Sequence, residues 1–157
     1  MFNLSYSHFA NAYRRFECQD KDALFANLGW QEQAGAGGHV RNGTVLTSLA
    51  LISAGAPLNG SLRILAGPQQ GGRAFNGANR LAEWLGEHFG EPEIIALDKG
   101  LSNVAYQLFG RRGIVAFIQG SGPQGGSIGL LDGRNAAPLC REAEIHHPLE
   151  VRFWALN

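Results

Sequence analysis

The chain has 157 residues, enough for one ordinary domain with a real core. Thirteen basic and thirteen acidic side chains cancel, and no basic stripe with interleaved aromatics is present, which argues against a nucleic-acid partner. The longest apolar runs, near residues 45–52 and 113–118, are too short to cross a bilayer, so no membrane insertion is expected. Residues 5–16 place Phe9, Ala12, Tyr13 and Phe16 at helical spacing. Asp20 or Asp22 can cap a second short helix through Leu28. From Thr44 to Ala54 the chain is apolar on most sides. Asn42 or Thr44 can cap this stretch and Gly55 with Pro57 closes it. A helix with so little polar surface is expected at the centre of the fold. Residues 62–65 read as a short strand. Residues 77–89 form an amphipathic helix with Ala78, Leu81, Ala82, Leu85 and Phe89 on one face. Strands are expected at 93–97, 113–119, 127–131 and 149–156, the last with strict alternation. Helices first and an antiparallel sheet after them predict an α+β domain spanning residues 1–157.

Glycine is the compositional outlier, 22 of 157 and about double the usual share. One cluster, Gly120-Ser121-Gly122-Pro123-Gln124-Gly125, matches the dinucleotide fingerprint G-x-G-x-x-G. That site needs its third glycine to open a helix, whereas Gly126–Leu131 reads as a strand, so a hairpin loop is the better reading. His146 and His147 point to opposite sides if extended, and no H-x-x-x-H or C-x-x-C spacing supports a metal, so neither metal nor other cofactor is expected. Cys18 lies between Glu17 and Asp20, a negative setting that disfavours a thiolate. Cys140 sits in an expected loop before Arg141, with His146 and His147 six and seven residues on. The two could be free thiols or one bridge. The N-terminus lacks the basic head and apolar block of a secretory signal, which predicts a cytoplasmic start and export by another route.

Several segments together resemble the fourth family of type VI secretion amidase effectors, peptidoglycan-cleaving members of the papain-like superfamily. The likeness runs through Asn11-Ala12-Tyr13, Asp22-Ala23-Leu24, Gly37-Gly38-His39-Val40 with Asn42, and Asn79 to Leu85 with Phe89-Gly90-Glu91-Pro92. It continues in Arg112 to Phe117, Gly126 to Gly133 and Glu150 to Leu156. Residues 44–57, TVLTSLALISAGAP, match a family pattern close to C-A-x-R-x-S-x-A-L-x-x-x-G-x-P. The resemblance implies a papain-like amidase fold, a buried central helix on a mainly antiparallel sheet, and peptidoglycan amidase activity for the family. It also implies where this chain departs. Thr44 stands at the family's cysteine nucleophile, Thr47 at its arginine and Ser127 at its histidine base. No acid appears near Ala136–Leu139, where the third polar member should follow.

A threonine hydroxyl without an adjacent base stays protonated, and serine cannot be that base. The expectation is therefore a pseudoenzyme with no catalytic residues, binding through the old groove. His39, Thr44, Gly126 and Ser127 should line that groove, flanked by Gln119–Gly126. Expected partners are a peptidoglycan stem peptide, an immunity-type protein or a component of the secretion apparatus. The resemblance implies delivery from the producing cell's cytoplasm to a target periplasm. Two alternatives stand beside it: an active amidase using relocated residues, Cys140 or Cys18 with His146 or His147, and an unrelated small soluble binding domain.

Overall fold

A computed structural model of the protein describes residues 4–19, 21–29, 43–67, 69–75, 77–120, 126–145 and 147–157. In chain order these form α1 (Tyr6–Glu17), α2 (Lys21–Asn27), α3 (Gly43–Ser53), β1 (Leu62–Arg63), β2 (Arg73–Ala74) and α4 (Ala78–His88). β3 (Glu93–Ile95), α5 (Leu101–Leu108), β4 (Arg112–Ile118), β5 (Ser127–Asp132), α6 (Ala136–Glu144) and β6 (Glu150–Ala155) complete the order.

The main sheet runs β3-β6-β4-β5 and every pair in it is antiparallel. Because side chains alternate along a strand, the sheet feeds two cores. Ile114, Ala116, Ile128, Leu130 and Trp154 pack with α1, α3 and α4 on one face. Val115, Phe117, Leu131, Val151 and Phe153 pack with α5 and α6 on the other. The expected α+β class with a buried helix on an antiparallel sheet is what the structure has. Its arrangement is more layered than the sequence order implies, since α5 and α6 interleave with the strands and cover the second face.

The helix α3 is buried as its composition demands: every residue from Thr44 to Leu51 is buried. Its end is a Schellman turn, with Ala56 N–H on the Leu51 carbonyl (3.0 Å) and Gly55 N–H on that of Ile52 (2.9 Å). Gly55 takes φ +93°, a value that favours glycine. At the start, Thr44 lies inside the helix and not at its cap, a correction to the sequence reading; Asn42, the other candidate cap, falls outside the described residues.

Two helices escape the sequence reading. The signal for α5 is present, since Leu101, Val104, Ala105 and Leu108 recur at helical spacing. The signal for α6 is weaker, with Pro138 in its first turns and few large apolar residues. Cys140 is therefore on a helix and buried in the second core, not in a loop. Residues 62–63 do pair, with β2, in a small separate hairpin.

Candidate functional site at the start of the buried helix

The edge strand β5 receives the N-terminus of α3. A β-carbon on Gly43 would overlap the carbonyl oxygen of Ile128, so only glycine lets the first turn come this close. Thr44 follows, with 5% of its surface exposed. One turn on, Thr47 and Ser48 are fully buried. The Ser48 hydroxyl accepts the Phe75 backbone N–H at 3.0 Å. The Thr47 hydroxyl has no hydrogen-bond partner among the described residues.

Ser127 opens β5 and is exposed, directly opposite Phe117 in the ladder. Directly opposed residues share a face, so Ser127 stands on the α5/α6 side. Just before it, Gly126 takes φ +86°. Its N–H is held by the Gln119 side-chain oxygen at 3.2 Å. Asn79 on α4 donates to the Gln119 carbonyl (2.6 Å) and accepts the Gln119 N–H (3.2 Å). Two side chains, through three hydrogen bonds, thus pin the base of the glycine loop. Residues 121–125 and His39 lie outside the described residues. The loop joins two antiparallel neighbours, and Gly126 leads into a strand, so the dinucleotide reading of 120–125 has no helix to stand on.

Around the edge of β5, where α1, α3 and α6 meet, lies a cavity of about 480 Å³. Gly43, Gln119, Gly126 and Ser127 line one side, with Tyr13 and Glu17 of α1 and Glu142 of α6 across from them. Thr44 sits one residue beyond the lining residue Gly43, its side chain almost wholly buried. Tyr13 is packed so that a β-carbon on Gly129 would lie 3.1 Å from its hydroxyl. Burial first and the Glu17 carboxylate second push the Tyr13 pKa up to about 12, although a hydrogen bond with the Leu130 backbone works the other way. The phenol therefore stays a neutral hydrogen-bonding group. Tyr13 and Glu17 are four residues apart on α1, a spacing that puts both on one face and could have flagged them; nothing in the sequence around Glu142 does so.

Neither cysteine lines this cavity. Burial pushes the Cys140 thiol up to about 11, and 2% of its surface is exposed. Cys18 caps the C-terminal end of α1, the negative end of the helix dipole, and donates weakly to the Arg15 carbonyl at 3.4 Å. Both are free thiols. His147 is exposed, and His146 lies outside the described residues. Among the described residues no group of three or more His, Cys, Asp or Glu could hold a metal ion. No described helix is long and apolar enough to cross a membrane.

A buried helix whose N-terminus abuts the edge of an antiparallel sheet is the arrangement that the resemblance implies. The family model for type VI secretion system (T6SS) amidase effector protein 4, Tae4, matches residues 44–154, and the chain belongs to that family. The expectation of an unrelated small domain is overturned by this match. Among solved structures, the Tae4–Tai4 effector–immunity complex from Enterobacter cloacae is similar at TM-score 0.72 and 15% identity, covering 99% of this chain and 100% of that one. The effector–immunity system Tae4/Tai4 from Salmonella typhimurium is similar at TM-score 0.71 and 18% identity, with the same coverage. The type VI effector Tae4 from Enterobacter cloacae is similar at TM-score 0.67 and 17% identity, covering 100% of both chains. These identities speak for the fold. No curated protein matches the chain.

Proposed function

We propose that this chain is a catalytically degenerate Tae4-family protein that acts by binding. The observation that carries the reading is the pair Thr44 and Ser127, at the positions where the resemblance has a cysteine and a histidine. An alcohol at the start of α3 gains little from the helix dipole at neutral pH, because the dipole favours a thiolate and the hydroxyl keeps its proton. Ser127 has no nitrogen to take that proton. Losing nucleophile and base together removes a unit whose members act non-additively. The relocated amidase reading is opposed by the raised pKa and burial of Cys140.

Binding would use the cavity beside β5, with Gly126 and Ser127 on its wall and Thr44 behind it; His39, which precedes α3 in the chain, joins the proposal from the sequence alone. Its ligand is a peptidoglycan stem peptide or an immunity-type protein. The second is supported by relatives of this fold having been solved as Tae4–Tai4 complexes. As a type VI effector relative the protein would be made in the producing cell's cytoplasm and carried to a target periplasm. Digestion of purified peptidoglycan, read by mass spectrometry of the released stem peptides, tests the reading. No cleavage is expected from the natural chain, and a gain in the Thr44→Cys/Ser127→His variant would assign the two positions. Cleavage by the natural chain would overturn it.

A further inference from the structure

The turn after α5 and the turn after β5 are joined by the Gly110 N–H on the Gly133 carbonyl at 3.0 Å. This corner lies at the opposite end of β5 from Ser127, about 17 Å along the strand. On β5 the cavity described above reaches no further than Gly129. Two aromatic side chains stand out from the corner. Tyr106 is 82% exposed and Phe109 71%, three residues apart at the end of α5. The sheet is covered instead by Val104 and Leu108, on the inner side of the same helix. One exposed apolar side chain says little, but aromatics beside arginines are the composition enriched in protein interfaces.

The arginines beside them come from three separate segments that only the fold brings together. Arg112 and Asp132 are directly opposed in the β4–β5 ladder. The Arg112 stem passes over Gly133, where a β-carbon would lie 3.5 Å from it. Its guanidinium is 5.2 Å from the centre of the Tyr6 ring. Arg14 reaches Asp132 at 3.8 Å. Arg134 follows in the same turn, its N–H on an Asp132 oxygen at 2.8 Å. Three arginines thus gather around one carboxylate. That carboxylate is already taken up by Arg14 and by the backbone N–H groups of Arg134 and Asn135. Arg112, lying against Tyr6, is arranged in advance and loses little rotamer freedom when an anion arrives.

We propose that this corner is a docking surface for a partner protein with carboxylates on its contact face. Those carboxylates meet Arg112 and Arg134, whose planar guanidiniums match them. An apolar group of the partner packs against Tyr106 and Phe109. A protein fits better than a polyanion for two reasons. The chain as a whole carries no net charge, so it has no long-range field to hold a nucleic acid or an anionic membrane. The Asp132 carboxylate within the cluster repels a continuous row of phosphates, whereas a protein surface can place its charges clear of it. The surface uses no residue lining the β5 cavity, so it stands or falls apart from the binding proposed there.

The test is titration of the whole isotope-labelled protein with a synthetic peptide of four glutamates and two leucines, followed by amide chemical shifts. The same peptide with glutamine for glutamate and a single-stranded oligonucleotide of equal charge serve as further arms. Saturable shifts at Phe109, Gly110, Gly133 and Arg134 are expected with the glutamate peptide, and none with its glutamine counterpart. Arg134→Ala and Phe109→Ala, both at exposed positions that leave the fold alone, should each weaken binding roughly threefold to fivefold. Arg80→Ala, exposed on α4, should leave the affinity unchanged. No saturable shift with the glutamate peptide, equal binding of the glutamine peptide, or tighter binding of the oligonucleotide would overturn the proposal. So would an unchanged affinity in Arg134→Ala and Phe109→Ala, or an equal loss in Arg80→Ala.

Discussion

At the scale of single residues, burial decides which groups are chemically available. Cys18 is exposed and Cys140 buried, so a thiol reagent at pH 8 should modify Cys18 quickly and reach Cys140 only on unfolding. Two fast-reacting thiols would contradict the placement of Cys140 in the second core. Tyr13 makes a prediction about pH with a definite sign. Its folded pKa, pushed up to about 12, lies above the ordinary 10.0, so the folded chain holds the proton more tightly than the unfolded one. The stabilisation is complete below pH 10 and is lost as pH rises toward 12, by roughly 2–3 kcal/mol. Cys140 acts in the same direction between its ordinary 9.0 and about 11. Urea unfolding between pH 9 and 12 should show stability falling, with a shallower fall in Tyr13→Phe; an identical profile in that variant would show that the phenol is not the cause. These environments were not readable in advance. Tyr13 is legible in the sequence as one apolar position of a helix, but its neighbours Gly129 and Leu130 come from a strand over a hundred residues away.

At the scale of elements, the fold hangs on how closely α3 meets β5. Gly43→Ala forces its new methyl into the Ile128 carbonyl. It should cost about 3 kcal/mol, the upper part of the range for overpacking, as a lowered denaturation midpoint with unchanged slope. The base of the β4–β5 loop depends on Asn79, whose two bonds to Gln119 tie α4 to the sheet. Asn79→Ala should cost about 1–3 kcal/mol by leaving partly buried backbone groups unpaired, and should speed amide exchange at Gln119 and Gly126 selectively. The surface pair Arg111–Glu93 makes a useful contrast. Its bidentate bonds at 2.6 and 2.9 Å hold the Glu93 carboxyl below its usual range, yet both groups are largely solvated, so little stability follows.

Element by element, what could be read in the chain followed from pattern strength. The run of α3, apolar on most sides, and the alternation of β6 have one reading each. The 3.6-residue stripe of α4 has one as well. The α5 pattern is equally good but only eight residues long, and α6 carries a proline and small side chains. Both become helices because the second face of the sheet, with Val115, Phe117 and Val151, has to be covered. In the hairpin β1–β2, held by two residue pairs, the strand at 62–63 is legible and its two-residue partner β2 is not.

At the scale of the whole molecule, family membership and fold agree, and the proposed departure lies in the chemistry. The positions on which the proposal turns, Thr44 and Ser127, are legible only against a family pattern, because nothing in a threonine or a serine by itself marks the place of a nucleophile or base. The cavity wall formed by Glu17 and Glu142 was hidden for a different reason: it is assembled from two helices at opposite ends of the chain. The central claim is that this scaffold binds where its relatives are expected to cut. One measurement addresses it directly: incubate the protein with purified peptidoglycan, sediment the wall, and quantify bound protein and released stem peptides in the same sample. The account predicts protein retained in the pellet with no peptide released above the buffer control. Peptide release that depends on the natural chain would contradict it.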